Sequence, residues 1–154
     1  MEIRLAKLSD SKKLADYKNS LLLTCSMISR SEPTSMEAVK KSLKSDRRLI
    51  LICEHNTAIA GASTIKKRDH KGIISITISP NFQGKGLGKK LLSASMKAAR
   101  KKFCTKVFIS NIYSENTSSI KFFEKNGFLL AGKIPKGFYK NGKYHDKLIY
   151  VKVV

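Results

Sequence analysis

The spacing of apolar and polar residues along this chain changes repeatedly, and each change marks an element. Met1 to Lys7 predicts a short first strand. Leu14, Tyr17, Leu21 and Cys25 then recur at helical spacing, which predicts a helix from Asp10 to Cys25 with Ser9 as its N-cap. Ser26 to Pro33 reads as a loop. Thr34-Ser35-Met36-Glu37 has the spacing of a capping box, with the Thr34 hydroxyl and Glu37 carboxylate serving free backbone donors at the start of a helix running to Ser45. Arg48 to Glu54 and Ala58 to Lys66 predict two strands joined at His55-Asn56. A polar turn, Lys67 to Lys71, leads to a third strand, Gly72 to Ser79.

The second half starts with a strong helix, Leu87 to Phe103. Leu91, Leu92, Ala98, Ala99 and Phe103 form its buried side, and Lys89, Lys90, Lys97, Arg100 and Lys101 its wet side. Lys106 to Ile112 predicts a strand. Asn116 to Asn126 predicts a helix stopped at Asn126-Gly127. Two final strands, Phe128 to Ile134 and His145 to Val153, flank Lys140-Asn141-Gly142, whose Asn-Gly pair favours positive φ. The order β-α-α-β-β-β-α-β-α-β-β is that of an α/β protein with about seven strands and helices on both faces of the sheet. With 154 residues and no repeat or low-complexity linker, residues 1–154 are expected to form a single domain.

Composition narrows the classes. No stretch approaches the roughly 20 apolar residues of a membrane span, and Met1 to Leu5 lacks a long apolar run, so neither a membrane partner nor a secretory signal is expected. Cys25, Cys53 and Cys104 are odd in number and widely spaced, which disfavours a disulfide framework or cysteine metal site and fits a cytoplasmic protein. No His/Asp/Glu cluster has metal-ligand spacing, so no metal is expected. The formal charge is +20, a field that attracts polyanions, whether nucleic acid or a phosphate-bearing cofactor. The 31 basic residues include only six Arg, and the lysines are spread from Lys7 to Lys152, which equally describes a solvated surface. The chain has no RNA-recognition aromatic stripe and no recognisable DNA-reading motif.

Gln83-Gly84-Lys85-Gly86-Leu87-Gly88 lies between a predicted strand and a predicted helix. Small residues there bring the backbone close to an anion, and the N–H groups and dipole of the following helix point at it. Lys85, Lys89 and Lys90 add positive charge. The spacing is not that of a Walker loop, because Lys90 stands where Ser or Thr is required. It is one residue short of the Rossmann turn. A purely structural turn is the remaining alternative.

Ile76 to Leu92 resembles the central motif of the GNAT superfamily of N-acetyltransferases, in which Q/R-x-x-G-x-G/A holds the pyrophosphate of acyl-CoA. The run from Asn116 to Phe128 (Asn-Thr-Ser-Ser-Ile-Lys-Phe-Phe-Glu-Lys-Asn-Gly-Phe) resembles the second CoA motif of that family, at the right distance. The resemblance follows the element order of the whole chain and is specific over residues 72–128. It implies a GNAT fold with the sheet splayed between its fourth and fifth strands, about four helices, and acetyl-CoA as cosubstrate. The backbones of Ile76 and Ile78 would pair with the pantetheine arm. The turn of Gln83, Gly84, Lys85, Gly86, Leu87, Gly88 and Lys89 would hold the phosphates. Asn116, Ser119, Phe122 and Phe123 would line the same ligand, with Asn116 also able to act as a helix N-cap.

The implied reaction is direct attack of a primary amine on the thioester. The amine must be neutral, although a lysine-like amine has a pKa of about 10, so a base is called for. Backbone N–H groups near Ile78 are candidates for holding the oxyanion. The sequence departs from its family at Phe123, where many members carry a Tyr that protonates the thiolate. Tyr113, Ser114, Tyr139, Tyr144 and His145 are the candidates for acid and base roles, and Asp146 could order the hairpin by accepting backbone N–H bonds. Asn111 is polar but no base. Substrate choice is expected from Cys25 to Thr34 and from Pro135 to Tyr144, since such loops carry specificity. The acceptor would be a small molecule or a protein N-terminus, neutral or acidic more than polycationic. A non-catalytic CoA sensor and a basic nucleic-acid-binding protein are the alternatives, and a homodimer remains an admissible assembly.

Overall fold

The computed structural model describes residues 1–28 and 31–154. Ser29 and Arg30, inside the expected Ser26–Pro33 loop, lie outside the described residues. The strands are β1 (Glu2–Leu5), β2 (Arg48–His55), β3 (Ala58–Arg68), β4 (Lys71–Ile78), β5 (Val107–Tyr113), β6 (Leu129–Lys140) and β7 (Lys143–Val153). The helices are α1 (Ser11–Thr24), α2 (Met36–Lys44), α3 (Leu87–Phe103) and α4 (Thr117–Lys125). One mixed sheet takes the order β1-β2-β3-β4-β5-β7-β6. Every neighbouring pair is antiparallel except β4 with β5. This is the GNAT fold that the resemblance implied.

The helices cover both faces, and each face has its own core. Leu14, Tyr17 and Leu21 of α1 and Val39 of α2 pack on Ile50, Ile52 and Ala62. Leu91, Leu92, Met96, Ala99 and Phe103 of α3, with Phe123 of α4, pack on Ile65, Ile74, Phe108, Ile112 and Tyr150. The alternation of a strand sends neighbours to opposite cores, so β2 is apolar from Leu49 to Cys53, with Leu49 and Leu51 toward α3 and Ile50 and Ile52 toward α1.

Three local expectations are corrected. The cap of α2 is Ser35, whose hydroxyl accepts from the Ala38 amide at 3.1 Å. Thr34 instead exchanges backbone hydrogen bonds with the Asn19 side chain on α1, so the Thr34–Glu37 box does not form. Ser9 does not cap α1. It lies in a 3₁₀ turn, Leu8–Asp10, where Asp10 accepts from the Lys7 amide and pairs with Arg4. The last hairpin is longer than expected. Pro135 interrupts the strand pattern, but β6 continues through an irregularity between Ile134 and Phe138. Lys136 there has φ 54°, its amide donates to Asp146 Oδ1 at 2.9 Å, and Lys133 pairs with the other carboxylate oxygen. Asp146 thus pins the bulge, and β6 and β7 reach a two-residue Asn141-Gly142 turn with positive φ at both residues.

Candidate active site

β4 and β5 pair only at their beginnings, Lys71 with Val107, Gly72 with Phe108 and Ile73 with Ile109. From Ile74 onward β4 keeps β3 but has no strand on its other side, whereas β5 stays paired with β7 to its end. The result is a V-shaped opening that leaves the β4 edge at Ile76 and Ile78 without a strand partner and open to an extended ligand, the Ile78 carbonyl being met only by the Gln83 side chain.

The open end of β4 leads through a 3₁₀ turn, Pro80–Phe82, into the glycine-rich turn. Gly84 and Gly86 have φ of 74° and 73°, where a side chain is penalised, and a β-carbon at either would meet nothing within 4 Å. Among the described residues, hydrogen-bonded backbone N–H groups stop at Gln83 and resume at Lys90, which donates to the Gly86 carbonyl at 3.3 Å. The intervening amides, Gly84 to Lys89, cluster at the N-terminus of α3, the positive end of its dipole. The Gln83 side chain donates to the Ile78 carbonyl at 3.2 Å, and Lys85 donates to the Asn81 carbonyl at 3.0 Å. Leu87 buries its side chain beside Cys53 and Ala60, so only its backbone belongs to the turn.

Gly88 has a further reason to be small. A β-carbon there would come within 3.1 Å of the Phe122 ring, so Gly88 also sets the approach of α3 to α4. Asn116 caps α4 by accepting from the Ser119 amide at 3.1 Å. Phe123 is 5% exposed and packs edge-on against Phe128 at 4.9 Å. It carries no hydroxyl into the site.

The opposite face of the V, under α1 and α2, holds a separate group of side chains. Continuing the β4–β5 register sets Ser75 level with Asn111, and Thr77 level with Tyr113. Tyr17 donates from α1 to the Thr77 hydroxyl at 3.1 Å, and burial raises its pKa. The Tyr113 ring stacks on Phe138 at 4.2 Å and meets the His145 ring edge-on at 5.2 Å. Tyr113 is 4% exposed, and its hydroxyl is the one buried side-chain polar atom without a partner among the described residues. Burial, then the nearby Glu115 charge, raises its pKa. His145 Nδ1 lies 3.2 Å from Glu115 Oε1. The Glu115 carboxyl is held below its ordinary range by its own backbone N–H and then by His145.

The structure therefore joins Tyr113 and His145, with Ser114 beside them in sequence, and leaves out Tyr139 and Tyr144. The latter pair with each other one position beyond Phe138 and His145, on the other face of the hairpin, and are 61% and 63% exposed. Lys140, at the end of the same hairpin, donates to the carbonyls of Ser26 and Ile28, so the two expected specificity loops touch. Sequence reasoning missed Tyr17 and Glu115. The available signal for Glu115 was that it is the first acid after Asp69. No group of three or more His, Cys, Asp or Glu side chains suited to a metal occurs among the described residues. No helix there is long and apolar enough to cross a membrane.

Comparison with known proteins agrees with this geometry. Residues 18–128 match the acetyltransferase (GNAT) family. An L-methionine sulfoximine/L-methionine sulfone acetyltransferase of Salmonella typhimurium is 35% identical over 63% of this chain and 60% of its own length. The L-amino acid N-acyltransferase MnaT of Escherichia coli is 29% identical over 95% of this chain and 90% of its own. The structure of yncA from Salmonella typhimurium, solved with its cofactor acetyl-CoA, superposes with a TM-score of 0.86 at 25% identity, covering 99% of this chain and 93% of that one. The chain belongs to the GNAT family and is an N-acetyltransferase, an enzyme that moves an acetyl group to an amine.

Proposed function

We propose that residues 1–154 act as a single domain that transfers the acetyl group of acetyl-CoA to the α-amino group of a small amino-acid-like acceptor. The observation that carries the cofactor half is the pairing of a free strand edge at Ile76 and Ile78 with the consecutive amides of Gly84 to Lys89. An edge suits the amide-bearing pantetheine arm, and clustered N–H groups at a helix start suit a pyrophosphate. Lys85 and Lys89 add charge around the phosphates, and Asn116, Ser119, Gln83 and Phe122 border the same track. The acceptor half rests on the relatives that act on amino acids. It also rests on the cations of the acceptor face, Lys140 and Lys147, to which a carboxylate is attracted.

In this reading the acceptor enters from the α1–α2 side of the V and meets the thioester at its mouth, level with Tyr113. The amine nitrogen attacks the carbonyl carbon, backbone N–H groups near Ile78 hold the oxyanion, and the C–S bond breaks. Phe123 provides no proton for the leaving thiolate. The unpaired Tyr113 hydroxyl is the donor we assign to it, regaining its proton from the nitrogen. Cytoplasmic residence fits a pool of acetyl-CoA and free amino acids.

The test is a panel of amines with acetyl-CoA, read by thiol release, alongside calorimetric titration of acetyl-CoA. The panel contains amino acids and their sulfone analogues, short peptides with free N-termini, amino sugars and spermidine. Amino acids should react best, and spermidine poorly, because a +20 chain repels a trication. Spermidine as the best acceptor would refute the substrate class. Acetyl-CoA binding without any acetylation would refute the enzyme mechanism in favour of a sensor.

A further inference from the structure

We propose that His145 takes the proton from the acceptor amine and that Glu115 is the residue that orients it. This rests on the reading above and supplies the base that it lacks. The geometry is asymmetric in a useful way. Nδ1 of His145 faces Glu115 at 3.2 Å, so a proton on Nδ1 is donated to the carboxylate and the Nε2 lone pair is left free. The ring is fixed edge-on against Tyr113, whose own ring is stacked on Phe138. His145 therefore stands on the acceptor face, one aromatic ring away from the unpaired hydroxyl at the mouth of the V. It is 26% exposed at the side chain, open enough to exchange a proton with solvent.

Glu115 and His145 come from different elements. Glu115 sits between β5 and α4, and its neighbour Ser114 donates its amide to the Asp146 carbonyl at 3.1 Å, which fixes the two segments side by side. Among the described residues, the other titratable or charged groups on this face are Tyr17 from α1, Tyr113 from β5, Lys147 and Lys143 from β7, and Lys140 from β6. Lys147 lies 4.8 Å over the Phe138 ring, and Lys140 is engaged by the carbonyls of Ser26 and Ile28. Glu115 is the only acid among them.

The proton balance is complete without another reactant. An ammonium acceptor gives its first proton to His145 Nε2, which passes it to solvent. The freed lone pair forms the C–N bond. The second proton leaves nitrogen after the C–S bond breaks and departs with the thiol, and the third stays on the amide.

The experiment compares wild type, His145→Gln, Glu115→Gln and Glu115→Asp across pH 6 to 10, using kcat/KM for the best amine of the panel and titration of acetyl-CoA. His145→Gln should lose roughly 100-fold at neutral pH, and the loss should shrink as the amine deprotonates by itself. Acetyl-CoA affinity should stay within about twofold, since neither residue borders the strand edge or the glycine turn. Glu115→Gln should lose less and move the acid limb of the profile to lower pH, because the imidazolium loses its carboxylate. Glu115→Asp should keep the limb near its wild-type position. Unchanged activity in His145→Gln at every pH would overturn the proposal, and so would a uniform loss in Glu115→Gln with no movement of the limb. In both cases the acetyltransferase reading stands. A wild type that binds acetyl-CoA and acetylates no amine overturns both.

Discussion

The two sides of the V are built from different materials. On the proposed cofactor side the groups on offer belong to the backbone: a strand edge at Ile76 and Ile78, and the amides of Gly84 to Lys89. On the acceptor side it belongs to side chains, with Tyr113, Glu115 and His145 gathered from a strand end, a loop and a hairpin. A backbone site needs only the right local conformation, so it tolerates many side chains and depends on a few glycines. A side-chain site needs distant segments to be placed within hydrogen-bonding distance. The same residue change should therefore have different consequences on the two sides.

The largest effect should come from Gly86→Val. Gly86 has φ 73° in an open position at the start of α3, so the branched side chain both strains the turn and covers the amides. Acetyl-CoA affinity should fall by roughly 100-fold or more, since several charge-assisted hydrogen bonds are lost together. Gly88→Ala should read out differently, as a loss of stability from pressure on Phe122. If Gly86→Val binds acetyl-CoA as well as wild type, the backbone account of the cofactor side is wrong.

A second measurement checks that such losses are local. Arg4 bonds Asp10 through both carboxylate oxygens and also Glu54, far from either side of the V. The Arg4 hydrogen bonds hold the Asp10 carboxyl at about 2, down from 3.8, with burial opposing the shift. A depressed folded pKa contributes stability above the unfolded value and loses it as pH falls through the folded one. Asp10 should account for about 2 kcal/mol of the fall in unfolding free energy between pH 4 and pH 2, and Asp10→Asn should remove that part of the dependence. Denaturant titrations should give this same slope in the Gly86 variant. A different slope would mean that the glycine turn is coupled to the whole fold.

Tyr113→Phe should give the smallest effect, and the most diagnostic. Its hydroxyl is buried without a partner, so removing it should leave stability unchanged or raise it by up to about 1 kcal/mol. Turnover should nevertheless fall, by roughly tenfold, because a thiolate leaves tolerably well without full protonation. A variant that loses both stability and turnover would show that the hydroxyl is structural. One that loses neither would remove Tyr113 from the mechanism.

Much of the backbone on the proposed cofactor side was legible in the chain. Glycines at 84, 86 and 88 before a helical pattern, and Asn116 before the next one, are local signals, and the reason is that local dihedrals and helix caps are set by neighbours in sequence. Even there, one contact was not local: Phe122, far along the chain, packs on Gly88. The acceptor side was legible only as a set of candidates. Tyr139 and Tyr144 looked as suitable as Tyr113, and it is the pairing of Phe138 with His145 against Tyr113 that leaves them, one position on, to the other face.

By itself the sequence determined the element order, the glycine turn and the absence of a Tyr at position 123, because each is written in consecutive residues. The tertiary structure decided where β5 parts from β4, which hydroxyl is left buried and unpaired, and that Glu115 meets His145. Those facts depend on pairing between strands separated by many residues, where a one-position change in register exchanges one face of the sheet for the other.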